Sequence, residues 1–439
     1  MADVQASTPP GAAAVTAGAP APGSPGVARA ARTGVVVAYV VAFFAMYIAV
    51  LTPVVSTLAL KVDALSTPET RATNLALVTG VGAFFAFVAN PLAGALSDRT
   101  TSRLGMRRPW LLWGVLLGAV GLLLIAFAPS IWVVVIGWAV AQTAFNGAQA
   151  ALQAILPDQV AEAQRARVSS LLGMGQNLAP LVGIGLAFAF TAAGTDEIWI
   201  FLVPTFLAVI GMLALVAVLK DRHLDPADVD TFKLGAFLKG FWVSPRKHPD
   251  FAWTFLGRFL MLFGFALYNT YQLYFLTDRF GYDNATALSW QLRLMVVQAA
   301  VMVVASLLGG VLSDRTGRRK VFVVVATLLA GAGLLVFAVA QAPEMLYLGA
   351  SLFGAGLGAY FAVDLALVTD VLPNADTEAA KNMGVFNIAN ALPQSVAPAL
   401  APAFLAIGGV GENYTALFSI SAVIVALGAV ATMFIRGAR

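Results

Sequence analysis

The sequence contains no cysteine and only two histidines among its 439 residues, and only 11% of its residues are charged. The absence of cysteine excludes disulfides and thiolate metal sites. Both histidines, His223 and His248, lie in one polar segment, so the apolar part of the chain has none for catalysis or metal binding. We therefore expect no metal, no cofactor and no enzymatic activity.

The shortage of charge also excludes a soluble protein of this size. Sixty per cent of the residues are hydrophobic, and the mean hydropathy is +0.85. Too few polar side chains exist to cover the surface of a water-soluble chain. The basic residues are scattered in short segments between apolar runs, a pattern that argues against nucleic-acid binding. We expect the lipid bilayer to solvate the protein.

Long apolar runs predict an all-α membrane protein with twelve transmembrane helices, because about 20 apolar residues in helical form cross a bilayer. The predicted spans lie near 34–60, 72–96, 109–128, 131–156, 168–193, 198–219, 251–277, 289–312, 321–341, 344–372, 383–407 and 414–435. Residues 1–31 are rich in Ala, Pro and Gly, which predicts a disordered tail and not a signal peptide. The expected organisation is a tail at 1–31, a six-helix bundle at 32–219, a connector at 220–250 and a second six-helix bundle at 251–439.

A charged segment is repeated at about half the chain length. Residues 94–108 read GALSDRTTSRLGMRR, and residues 309–320 read GGVLSDRTGRRK. Asp98 and Asp314 are 216 residues apart, as are Pro157 and Pro373. The first copy has four extra residues between its Asp and its Gly, and we expect the register to recover before the fourth span. Such a repeat predicts two pseudo-symmetric membrane bundles, the architecture of secondary transporters.

The distribution of Lys and Arg predicts the orientation of the spans. With a cytoplasmic N-terminus, 21 of the 26 basic residues fall in cytoplasmic segments. Only Lys61, Arg71 and Arg279 are external, while Arg258 and Arg293 lie within spans. We therefore expect a multi-pass protein of the cell membrane, plasma or inner, with both termini in the cytoplasm.

The repeated pattern Gly-x-Leu-x-Asp-Arg followed by Gly-x-Arg-Arg resembles the signature loop of the major facilitator superfamily. The longer form at 97–110, SDRTTSRLGMRRPW, is similar to the sucrose and glycoside cation-symporter branches. This resemblance implies transport of a sugar or similar polyhydroxyl solute by alternating access, coupled to a cation that is usually a proton. No Asp or Glu lies in the first three predicted spans, which disfavours sodium. We expect a monomer that binds a small-molecule solute.

The resemblance also implies that contacts around the repeated loops lock a cytoplasmic gate. Asp98 and Asp314 can each accept hydrogen bonds from the N-terminal end of a neighbouring helix, and the loop arginines can bridge to acids such as Asp158. The alternative interpretation is an arginine-rich loop that only sets orientation. The candidate gate residues are Asp98, Arg99, Arg107, Arg108, Asp158, Asp314, Arg315, Arg318 and Asp370.

Two charges within spans need partners, because each charge in hydrocarbon costs roughly 2.5–3.5 kcal/mol on insertion scales. Arg258 in span seven and Asp364 in span ten lie at similar depths, which predicts an ion pair. Our hypothesis is that Asp364 takes up and releases the coupling proton under the control of Arg258. A static pair that fixes helix packing and an acid hydrated from the cytoplasm are the alternatives. Arg293 lies nearer the outer end of span eight and is interpreted as an interface anchor or an outer-gate residue.

Amide and aromatic side chains at helical spacing predict the solute contacts. The stripe of amides on span four is the strongest signal, because lipid-facing amides would be unsatisfied. The alternative is interhelical hydrogen bonding or packing, and Tyr274 is assigned to the aromatic belt at the membrane interface. The candidates are Tyr39, Phe43, Tyr47, Gln142, Asn146, Gln149, Tyr268, Asn269, Tyr271, Gln272, Asn387, Asn390 and Gln394.

Two other functions are alternatives to a symporter. A drug/proton antiporter of the same fold usually carries Gly-x-x-x-Gly-Pro-x-x-Gly-Gly on span five, whereas residues 175–183 read GQNLAPLVG. The chain keeps Pro180 and Gly183 but lacks the glycine before the proline, which disfavours export. A membrane receptor or enzyme would need a large soluble domain or a catalytic cluster, and the sequence shows neither.

Overall fold

Twelve long helices make up most of the part of the chain that the structure describes. The computed structural model describes residues 33–229, 232, 234–235, 243–372, 375–408 and 412–437, without the side chains of 228, 365, 375–381, 383 and 384. The helices are α1 (Thr33–Ala64), α2 (Arg71–Ser97), α3 (Arg108–Ala126), α4 (Ile131–Gln159), α5 (Glu162–Ala192), α6 (Trp199–Val218), α7 (Pro249–Phe280), α8 (Asn284–Thr316), α9 (Arg319–Val339), α10 (Met345–Asp370), α11 (Ala375–Leu405) and α12 (Tyr414–Met433). The predicted tail at 1–31 and part of the predicted connector lie outside the described residues.

The helices follow the apolar runs of the sequence. Eleven helices of the described part, all except α11, are long and apolar enough to cross a membrane. The predicted spans differ most at the starts of α5 and α11, which begin six and eight residues earlier than the apolar runs. An apolar run marks only the part of a helix in hydrocarbon, whereas these helices continue into polar sequence. Within α1, residues Pro53–Thr57 form a π-helical turn, because Pro53 has no N–H to continue the α-helical ladder.

The helices form two six-helix bundles with matching internal packing. In the first bundle α1 packs against α5 and α6, α4 packs against α2 and α3, and α3 packs against α6. In the second bundle α7 packs against α11 and α12, α10 packs against α8 and α9, and α9 packs against α12. The two bundles meet where α2 contacts α11 and where α5 contacts α8. We call the two ends of the assembly the Arg71 face and the Asp98 face, after the residues at the start of α2 and just beyond its end.

Side-chain contacts at the Asp98 face repeat the symmetry of the bundles. Arg108 at the start of α3 donates from its guanidinium to the carbonyl oxygen of Leu219 after α6. Lys320 at the start of α9 donates to the carbonyl oxygen of Ile435 after α12, at 2.7 Å. Both cations satisfy a carbonyl that the end of a helix leaves without an intrahelical partner. The sequence repeat therefore corresponds to a structural repeat.

Glycines at the α3–α4 and α9–α10 crossings correct the expected register of this repeat. A Cβ atom on Gly121 would lie 2.6 Å from the carbonyl oxygen of Gly137, and one on Gly333 would lie 2.7 Å from that of Gly349. These equivalent positions are 212 residues apart, not 216, so the register recovers inside the fourth span and not before it. The first-half counterpart of Asp364 is then Ala148 or Leu152, and both are apolar.

We expect Gly121→Ala to lower the stability of the protein by about 1–3 kcal/mol, because the added methyl group would meet backbone atoms that cannot move aside. Gly185→Ala is the matched control, since a Cβ on this glycine of α5 has nothing within 4 Å. Thermal unfolding of the purified variants in detergent measures the difference. Equal melting temperatures for the two variants would contradict the close approach of α3 and α4.

Candidate functional site

A buried ion pair joins α7 and α10 in the second bundle. Arg258 Nη1 lies 2.5 Å from Asp364 Oδ2, and Asp364 is only 2% exposed. Counting residues from the helix ends, both side chains lie about 9–14 Å from the Asp98 face. The structure thus brings together the two charges that the sequence places at similar depth. Because the carboxylate is buried and paired, hydration from solvent does not stabilise it in this conformation.

Arg258 also contacts α11, so three helices meet at its guanidinium. Its Nε donates to Asn390 Oδ1 at 2.6 Å, and its guanidinium carbon lies 4.7 Å from the centre of the Phe386 ring. Asn390 in turn donates to Asn387 Oδ1 at 2.7 Å. Asn387 is exposed. A continuous polar connection therefore runs from the buried Asp364 to an accessible amide.

Aromatic side chains of α1 form a stacked series in the first bundle. The Phe43 and Tyr47 rings stack with their centres 4.5 Å apart, and Tyr39 meets Phe43 edge-on at 6.3 Å. Gln149 of α4 donates to the Tyr47 hydroxyl. The Tyr39 hydroxyl is buried and has no hydrogen-bond partner. These three buried side chains therefore combine aromatic rings with one hydroxyl that has no hydrogen-bond partner.

The amides of α4 divide into two groups. Asn146 donates to Gln142 Oε1 at 3.0 Å and to the Gln142 carbonyl oxygen at 2.9 Å, so these two amides satisfy one another. Gln149 instead reaches across to α1, and Gln153 is exposed. The amides nearer the Asp98 face thus contact Tyr47 of α1, whereas Gln142 and Asn146 pair within α4.

A second group of polar side chains links α7 and α8 to α1. Gln272 Nε2 donates to the Tyr268 hydroxyl at 2.7 Å. Gln291 Nε2 donates to the carbonyl oxygen of Val55 at 3.1 Å and lies 3.4 Å from Gln272 Oε1. Gln291 Oε1 is buried without a partner. Sequence reasoning missed Gln291, although an amide within an apolar span was the available signal.

Two further tyrosines of α7 lie between the bundles. Tyr271 donates to the Ala72 carbonyl oxygen at 3.2 Å, and Tyr274 donates to the Ala59 carbonyl oxygen at 2.9 Å. Both side chains are buried. The assignment of Tyr274 to the interfacial belt is therefore wrong, because the ring packs against the opposite bundle. Tyr271 shares this sealing position, while Asn269 is half-buried with no hydrogen bond assigned.

Arg107 organises the Asp98 face of the first bundle. Its Nη1 lies 2.6 Å from Asp98 Oδ1, and its Nε lies 3.0 Å from Asp158 Oδ2. The expectation that Asp98 accepts from a helix N-terminus is wrong for this conformation. Asp221 from the connector takes that role, because its Oδ2 accepts the backbone N–H groups of Arg107 and Arg108 at 2.7 Å each.

The second bundle has a single ion pair at the Asp98 face among its described residues. Arg319 Nη1 lies 2.7 Å from both carboxylate oxygens of Asp370. Asp314, Arg315 and Arg318 are exposed and form no ion pair in the described part of the chain. Sequence reasoning missed Arg319, although aligning the repeats on Gly105 and Gly317 makes it the counterpart of Arg107.

Arg99 of the first bundle, another candidate gate residue, donates to the Ala95 carbonyl oxygen at 2.7 Å.

The Arg71 face holds the two bundles together through charges. Arg71 contacts Asp63 of α1 at 3.3 Å, Asp278 of α7, and Glu412 before α12 at 3.5 Å. Its guanidinium carbon also lies 5.1 Å from the centre of the Tyr274 ring. From the sequence, Arg71 was predicted only to be one of three basic residues on the external side. In contrast, the ion pairs of Arg107 and Arg319 each lie within one bundle.

Arg293 of α8 is separate from these networks. It is exposed, and its guanidinium carbon lies 5.6 Å from the centre of the Trp290 ring. Trp290 in turn stacks on Tyr282, with the ring centres 6.1 Å apart. Aromatic side chains beside a cation near a helix end are typical of a membrane interface.

The fold and these sites can be compared with known proteins. The family model of the Major Facilitator Superfamily matches residues 35–292 and 273–439, nearly the whole described chain. The chain belongs to the Major Facilitator Superfamily. It is thus a multi-pass membrane transporter for small-molecule solutes and not an enzyme, as the sequence resemblance implied.

Among curated proteins, the general alpha-glucoside permease of Schizosaccharomyces pombe (strain 972 / ATCC 24843) is 24% identical over 214 residues. That match spans 44% of this chain and 38% of the permease. The nucleoside transporter NupG superposes with a TM-score of 0.74 at 13% identity, covering 91% of this chain and 99% of NupG. A D-xylose-proton symporter superposes with a TM-score of 0.68 at 14% identity, covering 91% and 97%. At these identities the two solved structures show that the chain shares their fold.

We expect Arg258→Gln to destabilise the protein by about 3–5 kcal/mol, because it leaves the Asp364 carboxylate buried without a counter-ion. Adding Asp364→Asn should recover at least half of the loss, since the double variant buries no unpaired charge. Thermal unfolding of the single and double variants measures this coupling. Arg293→Gln, which removes an exposed arginine of α8, is the control and should have little effect. Strictly additive losses would contradict the pairing.

Proposed function

We propose that this family member is a proton-coupled symporter that carries a sugar or similar polyhydroxyl solute by alternating access. The observation that carries the proposal is the ion pair between Arg258 of α7 and Asp364 of α10. The Asp364 carboxylate of this pair is buried inside the second bundle. The names of two related proteins, the alpha-glucoside permease and the D-xylose-proton symporter, support this solute class and this coupling ion. No cofactor is needed for such a cycle.

Proton uptake at Asp364 would change the partners of Arg258. An ionised Asp364 satisfies the guanidinium, whereas a protonated one removes its counter-ion in a region of low dielectric constant. Asn390 already accepts from Arg258 Nε, so the guanidinium can shift towards α11 without losing every acceptor. The protonation state of Asp364 on α10 would thereby set the position of α11 relative to α7.

The aromatic series of α1 and the amides of α4 suit a sugar. Aromatic faces pack on the apolar C–H faces of a sugar ring, and amides both donate to and accept from its hydroxyls. Tyr47 already pairs with Gln149, and the unsatisfied Tyr39 hydroxyl offers a further donor and acceptor. The exposed Asn387 and Gln394 of α11 would face the solute from the opposite bundle.

The described conformation suits a state that opens to the Asp98 face. Hydrogen bonds from Tyr271 and Tyr274 and the contacts of Arg71 seal the opposite face. In the alternate state the Asp98 face would close instead, and the exposed Asp314 would be free to pair across the bundles. We further propose that the Asp98 face is cytoplasmic, that the protein lies in the cell membrane, and that it works as a monomer.

Asp364→Asn should abolish uphill solute accumulation driven by a pH gradient and spare solute exchange, because the amide keeps the hydrogen-bonding shape but cannot titrate. Uptake and counterflow of a sugar panel into proteoliposomes, with and without the gradient, measure both activities. Glu69→Gln, which changes an exposed acid before α2 that has no ion pair among the described residues, is the control and should keep more than half of the wild-type uptake.

Two results would contradict this proposal. Uphill uptake at the wild-type rate in Asp364→Asn would remove the carboxylate from coupling. Outward movement of cationic dyes by the wild-type protein, with no response to any sugar, would favour the drug/proton antiporter.

A further inference from the structure

The cluster around Arg71 contains more acid than base. Three carboxylates approach a single guanidinium, and the exposed fractions of the Arg71 and Glu412 side chains are 17% and 16%. If every acid were ionised, the cluster would carry an excess of two negative charges in a poorly hydrated place. The titratable groups that face it from the surrounding elements are Asp63 of α1, Arg71 of α2, Tyr271, Tyr274 and Asp278 of α7, Glu412, and Tyr414 of α12.

Tyr414 shows how the excess charge is resolved. Its hydroxyl lies 2.6 Å from Asp278 Oδ2 and in hydrogen-bond contact with Glu412 Oε2. A hydroxyl has one proton to donate, so it can satisfy only one ionised carboxylate. The second contact is favourable only if the other acid is protonated and donates to the tyrosine oxygen. The arrangement therefore favours one further proton on Glu412 or Asp278, in addition to the proton of the Tyr414 hydroxyl.

We propose that Glu412, Tyr414 and Asp278 form a proton-dependent latch that, together with Arg71, holds the Arg71 face of the transporter closed. Asp63 and Arg71 belong to the first bundle, and the other members belong to the second. Opening this face must separate them and admit water. The latch rests on the proposed function only in requiring that the two bundles rock apart at this end.

The direction of the pH effect follows from burial. Burial raises the pKa of Glu412 above its usual value, and the nearby Asp278 adds to this rise. In the open state the solvated carboxylate would return towards the ordinary pKa of a glutamate. The closed state thus holds a proton that the open state releases. Closure is favoured below the open-state pKa and loses this contribution as the pH rises through the closed-state pKa.

The absence of native cysteine allows a direct test on the full chain in lipid nanodiscs. Spin labels at Pro68→Cys and Ala406→Cys would report the separation of the bundles, because both positions are exposed on the Arg71 face and lie outside the latch. The distance distribution is measured from about pH 4 to about pH 8 without solute. We expect the open-to-closed ratio to rise with pH, by at most about tenfold per pH unit for one proton.

Substitutions assign the proton. Glu412→Gln keeps a donor towards Tyr414 without titrating, so this variant should remain closed at every pH. Arg71→Gln should open this face at every pH, because it removes the cation that holds the carboxylates. Glu69→Gln is the matched control, since Glu69 is an exposed acid of the same face outside the latch, and should titrate like the wild type. Asp364→Asn should also titrate like the wild type.

Four outcomes would overturn the inference. A Glu412→Gln variant that titrates like the wild type would remove the proton from this site. A loss of the pH response in Asp364→Asn alone would assign that proton to α10 instead. Distances that change in Arg71→Gln but not with pH would contradict the latch while leaving the proposed function intact. Distances that never change, even in Arg71→Gln, would contradict the rocking on which both proposals depend.

Discussion

A charge inside a membrane bundle must keep a partner, and the second bundle is arranged around this constraint. The Asp364 carboxylate is buried, so its energy depends on the position of Arg258, and Arg258 depends in turn on Asn390 and Phe386. Under the proposed coupling, removing or adding one proton at Asp364 would change the preferred packing of α7, α10 and α11 together. Such a change would convert proton uptake into helix movement.

The internal repeat makes the position of this charge informative. The two bundles share helix packing, glycine crossings and even the cation-to-carbonyl contacts of Arg108 and Lys320. Yet the counterpart of Asp364 in the first bundle is apolar, and that bundle offers the aromatic series of α1 instead. Shared contacts are explained by folding, whereas a departure from symmetry needs another reason. The proposed division places solute packing in one bundle and proton binding in the other.

The fold was largely predictable from the sequence, but the contacts between loops were not. Apolar length marks helices directly, and depth along two helices was enough to pair Arg258 with Asp364. The Arg71 cluster depends on which loops meet after folding, and Glu412 lies 341 residues from Arg71. Helical spacing placed Tyr271 on a polar face of α7, and Tyr274 was assigned to the membrane interface. Neither prediction could show that these two rings meet the opposite bundle. Likewise, Asp221 caps α3 from the connector, which no local pattern indicates.

The two faces of the transporter differ because of how basic residues are distributed. With the Asp98 face cytoplasmic, as proposed, the orientation of the spans concentrates Lys and Arg on that face and leaves few on the other. Arg107 and Arg319 therefore lie on a face with many other basic residues, whereas Arg71 is a single cation that contacts three carboxylates. Where a seal contains more carboxylates than cations, protonating one carboxylate is the least costly way to balance the charge. With the proposed orientation, the charge asymmetry that orients the chain in the membrane would also make the proposed latch sensitive to pH.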